Sequence, residues 1–148
     1  MNADISKYLT QEVMTASPAK LVSMLYDKAV MSLKEAIVAI EANDIEARWK
    51  ANARAIEIIS HMWSTLDIEK GGEIASNLND LFSFMLARLP EIDIHNDPEP
   101  AREVIVLLEP LQQPWRELAR QQAGGQNSSA DTAPGSAEIT RLPTSLSA

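Results

Sequence analysis

A chain of 148 residues is long enough for one domain with a real core, and a hydrophobic fraction of 45% can fill it. Aromatics at 5% argue against an aromatic-rich β-sandwich. A net charge of −8 argues against binding nucleic-acid phosphates, whose affinity comes from Lys and Arg. The absence of cysteine removes disulfides, thiolate metal sites and cysteine nucleophiles together, and it fits a reducing cytosol.

Residues Met1–Ala16 read as a leader with scattered apolar residues, Ile5, Tyr8, Leu9, Val13 and Met14. Met1–Thr10 lacks the basic stretch and apolar core of a secretory signal. Ser17 is placed to cap a first helix with Pro18 at its first position, where a missing N–H is harmless. Val22, Tyr26, Val30, Leu33, Ile37 and Ile40 then follow at steps of mostly three and four, widened by Leu21, Leu25, Ala29 and Ala36. That helix is expected to end near Glu41-Ala42-Asn43, and Asp44 to cap a second. Its stripe reads Ile45, Trp49, Asn52, Ile56, Ile59, Trp63 and Leu66, beside a second line of Ala51, Ala55, Ile58 and Met62.

Gly71-Gly72 breaks the pattern, and a third helix carries Ile74, Leu78, Leu81, Met85, Leu89 and Ile92, bent or unwound at Pro90. Asn96-Asp97-Pro98 repeats the start signal, with Asp97 as cap. The fourth stripe is Ala101, Val104, Leu108, Leu111, Trp115 and Leu118. It stays in phase across Pro110 and Pro114, which predicts one helix kinked near Val106–Pro110. The longest strongly apolar run, Val104–Leu108, is far short of the roughly 20 residues that span a bilayer. From Ala123 on, Gly, Ser, Thr, Ala and Pro dominate, the composition of a disordered tail. The expectation is all-α: a leader (1–16), an antiparallel up-down four-helix bundle (17–122) and a tail (123–148).

Chemistry is sparse in this sequence. Glu57…His61 and Glu91…His95 each share a helix face, but a di-metal carboxylate site needs more ligands, and solvated i,i+4 pairs are the simpler reading. Glu69-Lys70-Gly71-Gly72-Glu73 lacks the strand and further glycine of a phosphate loop and reads as a turn and helix start. No Gly-x-Ser-x-Gly elbow is present. The sequence calls for no enzyme activity, metal or cofactor. The apolar excess says more. Met24, Met31, Ile58, Met62, Phe82, Phe84, Leu86, Val106 and Leu107 lie partly off the inner stripes, which suggests an apolar groove able to seat a partner helix, with methionines that repack around it.

Several of these segments resemble one family. Tyr8…Val13-Met14-Thr15-Ala16-Ser17-Pro18…Leu21…Met24-Leu25-Tyr26-Asp27, then Ser64-Thr65-Leu66-Asp67 and Glu69-Lys70-Gly71-Gly72-Glu73-Ile74-Ala75, then Asn96-Asp97-Pro98 and Val104…Leu107-Leu108…Trp115, are similar in order to the flagellar secretion chaperone FliS. The resemblance implies a four-helix bundle that binds the C-terminal segment of flagellin 1:1 in the cytosol, prevents premature polymerisation and delivers it to a flagellar export-gate protein. It also implies that the leader, with Ile5, Tyr8, Leu9 and Val13, covers the bundle and takes part in partner binding. Weak homodimerisation is compatible with the same surface; nucleic-acid binding and membrane insertion are not expected. Some positions depart from the family pattern. Lys28 stands for a usual Gly, Asp93 for a usual Ala, and Leu81-Phe82-Ser83-Phe84-Met85 for a more polar Leu-Tyr-Asp-Tyr-Met.

Overall fold

The computed structural model describes residues 16–126. Four long helices, α1 (Pro18–Glu41), α2 (Ile45–Ser64), α3 (Ile68–Arg88) and α5 (Glu99–Gln126), form an antiparallel bundle, and a short α4 (Pro90–His95) sits between α3 and α5. No strand occurs among the described residues. The leader up to residue 15 and the tail from residue 127 lie outside them. The boundary expected at Ala123 moves, because α5 runs on through Gly124 to Gln126.

The helix starts follow local chemistry. The Ser17 hydroxyl accepts the Lys20 N–H at 3.2 Å, and Pro18 opens α1. Asn43, at φ 56, turns the chain in the left-handed conformation that Asn tolerates. Asp44 then caps α2 through the Ala47 N–H. Asp67 does the same for α3 through the Lys70 N–H, so α3 begins one turn before the paired glycines. Gly72, at φ 58 and ψ −138, interrupts α3 in a conformation that side chains rarely adopt. Gly71 is small for a different reason: a Cβ there would lie 2.5 Å from that of Ala75.

Pro90 starts α4, and Asn96, at φ 50, ends it. The start of α5 falls one residue later than the sequence suggests. Asp97 accepts the Glu99 N–H, and the Pro98 carbonyl accepts the Arg102 N–H at 3.1 Å. α5 then continues unbroken past Pro110 and Pro114. The carbonyl that Pro110 leaves without a helical donor belongs to Val106, on the exposed face, where water can serve it.

Ion pairs and side-chain hydrogen bonds fix the helix register. Arg54 meets Glu35 at 2.9 Å, tying α2 to α1. Asp27 binds Gln112 and Arg116, and Glu41 approaches Arg102, so α1 and α5 run antiparallel. The core comprises Tyr26, Val30 and Leu33 of α1, Ile59 and Met62 of α2, Phe82 and Met85 of α3, Ile92 of α4, and Val104, Leu108 and Trp115 of α5. Each fully buried side chain of this size stabilises the fold by roughly 1.5–3 kcal/mol.

The stripe expected for α2 is turned about the helix axis. Ile45, Trp49 and Trp63 are exposed, and the inner face is Arg48, Ala51, Asn52, Ala55, Ile59 and Met62. The reason is the tight seam with α1, where Ala29, Ser32, Ala36 and Ala39 are buried together with Ala51 and Ala55. Small side chains let two helices approach closely, and tryptophan does not fit such a seam.

Candidate functional site: an apolar seam on the bundle

The nine candidates in the described residues separate by depth. Met62 and Phe82 are core residues, 6% and 2% exposed, which corrects their placement off the inner stripes. The tightness of the α1–α2 seam turns Met62 inward, and Phe82 fills the space between α3 and the rest of the core. Ile58, Leu86 and Leu107 are half-buried against the core, and Met24 is half-buried on α1. Met31, Phe84 and Val106 are exposed, at 52%, 49% and 67%. Ile5, Tyr8, Leu9 and Val13 lie outside the described residues.

Register brings some of these together. Arg88 of α3 binds Glu103 of α5 at 2.5 Å and Glu91 of α4 at 2.6 Å. These hydrogen bonds raise the pKa of its guanidinium further above neutrality. One turn back along α3 from Arg88 stands Phe84, and one turn on along antiparallel α5 from Glu103 stands Leu107. Leu78 and Leu81 of α3 and Leu107 and Leu111 of α5 are all half-buried. α3 touches α5 sparsely, whereas α1 packs along most of α2 and α5. The result is a shallow apolar seam between α3 and α5, closed at one end by the Arg88 ion pairs. Met24 and Met31 lie on α1, away from it. No register contact ties Ile58 or Leu86 to the seam.

Sequence reading missed a second set of exposed apolar residues: Val38, Ile45, Trp49, Trp63, Ile68 and Ile94. The Trp63 indole donates to Asn79 of α3 at 2.6 Å, which holds the ring at the surface. For Ile45, Trp49 and Trp63 the signal was the alanine line on α2, which marked the inner face better than residue bulk did.

Beneath this surface α4 is pinned by polar groups. Arg48 donates to Asp93 at 2.9 Å and to Asn96 at 2.7 Å. Fully buried Asn52 donates to Asp93 and to the Leu89 carbonyl, and its own side-chain carbonyl has no partner among the described residues. Asp93 is therefore the hub of the cluster.

The proposed metal-ligating residues do not meet. Glu91 is engaged by Arg88, while Glu57, His61 and His95 are exposed. Among the described residues no three His, Cys, Asp or Glu side chains converge. A cavity of about 650 Å³ between the start of α1 and the end of α5 contains none of the candidate residues. No helix among the described residues is long and apolar enough to cross a membrane.

Comparison with known proteins agrees with this architecture. The family model described as flagellar protein FliS matches residues 1–122. The chain is 39% identical over 108 residues to the flagellar secretion chaperone FliS of Salmonella typhimurium, covering 72% of this chain and 80% of that protein. It is 33% identical over 117 residues to the one from Campylobacter jejuni (79% and 91%) and 30% identical over 107 residues to the one from Vibrio cholerae (72% and 79%). A helical bundle with an apolar seam, matched by that model over residues 1–122, belongs to the FliS family of flagellar secretion chaperones.

Proposed function

We propose that this protein acts in the cytosol as a chaperone for flagellin, holding its C-terminal segment 1:1, keeping it from polymerising and passing it to the export gate. The observation that carries the reading is the family match over residues 1–122, and the α3–α5 seam supplies a surface suited to it. An amphipathic client helix presents apolar side chains at steps of three and four, and Leu81, Phe84, Leu107 and Leu111 offer a matching row. Val106 extends that row toward solvent. Met24, Met31, Ile58 and Leu86 supply further apolar contacts around the bundle, and Ile5, Tyr8, Leu9 and Val13 of the leader act in partner and gate engagement. Binding, not catalysis, is the work: a covered assembly segment is withdrawn from polymerisation by mass action.

Titration calorimetry against a flagellin C-terminal peptide tests the proposal. The expected result is saturation at one peptide per chain, with a gain of helical circular dichroism. Phe84→Asp, at an exposed position, should weaken binding at least tenfold with an unchanged melting temperature. No heat and no dichroism change with the native chain would sink the proposal.

A further inference from the structure

α5 carries two prolines in its interior, Pro110 and Pro114, and runs on past both. Each ring removes an N–H, so the carbonyls of Val106 and Pro110 have no helical donor four residues on. Proline is the costliest residue in a helix interior. Pro110 is exposed, so its ring gains little burial to offset that cost. What sets the pair apart is its placement. Val106, Pro110 and Pro114 follow at four-residue steps and form one ridge of α5, beside Leu107 and Leu111 of the seam. Val106 is 67% exposed, and Leu107 and Pro114 are half-buried. The two carbonyls stand about 6 Å apart along the helix, at 1.5 Å per residue. The guanidiniums of this region are engaged elsewhere: Arg88 with Glu103, Arg116 with Asp27 and Arg120 with Glu117.

We infer that these two carbonyls form a polar rail along the α3–α5 seam, which accepts N–H groups from the side chains of a helical client. The inference rests on the client reading above and adds a requirement on the client's polar residues. An apolar seam alone does not fix the register of a helix laid in it. In the free chain the exposed ridge lets water serve both carbonyls. A client helix that covers Leu107 and Leu111 displaces that water, and a covered carbonyl left unpaired opposes binding. The client's backbone is no substitute, because a helix interior uses its own N–H groups. Its side chains are free to donate. Asn, Gln, Lys or Arg at positions four apart stand about 6 Å apart on one face, the spacing of the two carbonyls. Ionised carboxylates have no proton to donate and would meet the negative ends of both C=O dipoles. The client that fits therefore has an apolar stripe bordered by N–H side chains at four-residue spacing, and not by Asp or Glu.

Pro110→Ala and Pro114→Ala test this in the full chain, since each returns an N–H to the helix and so occupies one carbonyl internally. Titration calorimetry is run against a flagellin C-terminal peptide. Each variant should bind about three- to tenfold more weakly, the loss of one hydrogen bond, while its melting temperature does not fall. In the native chain the carbonyl carbon NMR signals of Val106 and Pro110 should move on peptide addition. A peptide with Ala in place of the Asn, Gln, Lys and Arg beside its apolar stripe should no longer distinguish the native chain from Pro110→Ala. Unchanged affinity in both proline variants, with native binding intact, would overturn the inference. So would a Pro110→Ala loss that the altered peptide shows in full, because the donors would then be backbone N–H groups or the effect one of helix shape. No binding by the native chain would instead strike the client reading, and this inference with it.

Discussion

Tyr26 lies in the core at 5% exposure, and burial pushes its phenol pKa from 10.0 up to about 12. The unfolded chain therefore releases this proton first as the pH rises. Stability from the neutral phenol is complete below pH 10 and is lost between 10 and 12, by up to about 3 kcal/mol. Urea unfolding of the native chain should show that slope, and Tyr26→Phe should flatten it. An equal slope in both would place the loss elsewhere. Gly72 is the other single position with a clear physical demand. Gly72→Ala puts a Cβ on a residue at φ 58 and ψ −138, which should destabilise the bundle by about 1–3 kcal/mol in urea unfolding. Gly71→Ala acts by crowding Ala75 instead. The sequence shows both glycines plainly, but it does not show that one serves backbone conformation and the other close approach.

Among the elements, α5 was the most legible and α2 the least. On α5 the expected stripe is the inner face, with Ala101, Val104, Leu108, Trp115 and Leu118 buried and Leu111 half-buried, so it reads correctly through two prolines. On α2 bulk and burial disagree. Alanines make the seam with α1, and Trp49 and Trp63 face outward. Periodicity alone cannot choose between two adjacent lines of similar spacing, and the close approach that decides it is a property of the pair of helices. α4 was read only as a bend at Pro90. It is held instead by the Arg48–Asp93–Asn52 cluster, in which Asp93 lies 45 and 41 positions along the chain from Arg48 and Asn52. Asp93→Ala leaves the Arg48 guanidinium, buried at 8% exposure, without its carboxylate, and should cost about 2–4 kcal/mol by denaturant unfolding. Arg48→Met added to that variant should recover part of the loss. A neutral Asp93→Ala would show that the cluster contributes little.

Across the whole molecule, packing is uneven. α1 lies between α2 and α5 with small residues at the tightest seam, while α3 is set apart by Phe82, Met85 and leucines and has few close neighbours on α5. Local opening follows contact density. Amides of α3 from Glu73 to Asp80 should exchange with deuterium at least tenfold faster than those of α1 from Ala29 to Ala36, and a bound client should slow the first group more than the second. Equal protection in the two helices would mean that the seam is as closed as the core. The candidate surface was only partly legible for this reason. Nine residues lie partly off the stripes in sequence, but whether such a residue ends in the core, like Phe82, or in solvent, like Phe84, depends on how far apart the neighbouring helices stand.

The outward-turned tryptophans give the molecule an optical asymmetry. Of its three indoles, Trp49 and Trp63 face solvent at 59% and 42% exposure, and Trp115 is buried at 8%. The emission of the native chain is thus dominated by water-contacting rings on a single helix, with a blue component from the far side of the bundle. Any ligand that lies over α2 will shift the first and leave the second alone, while a ligand confined to the α3–α5 seam will leave Trp49 unchanged. Native fluorescence, with no label added, therefore distinguishes which side of the bundle a partner has reached.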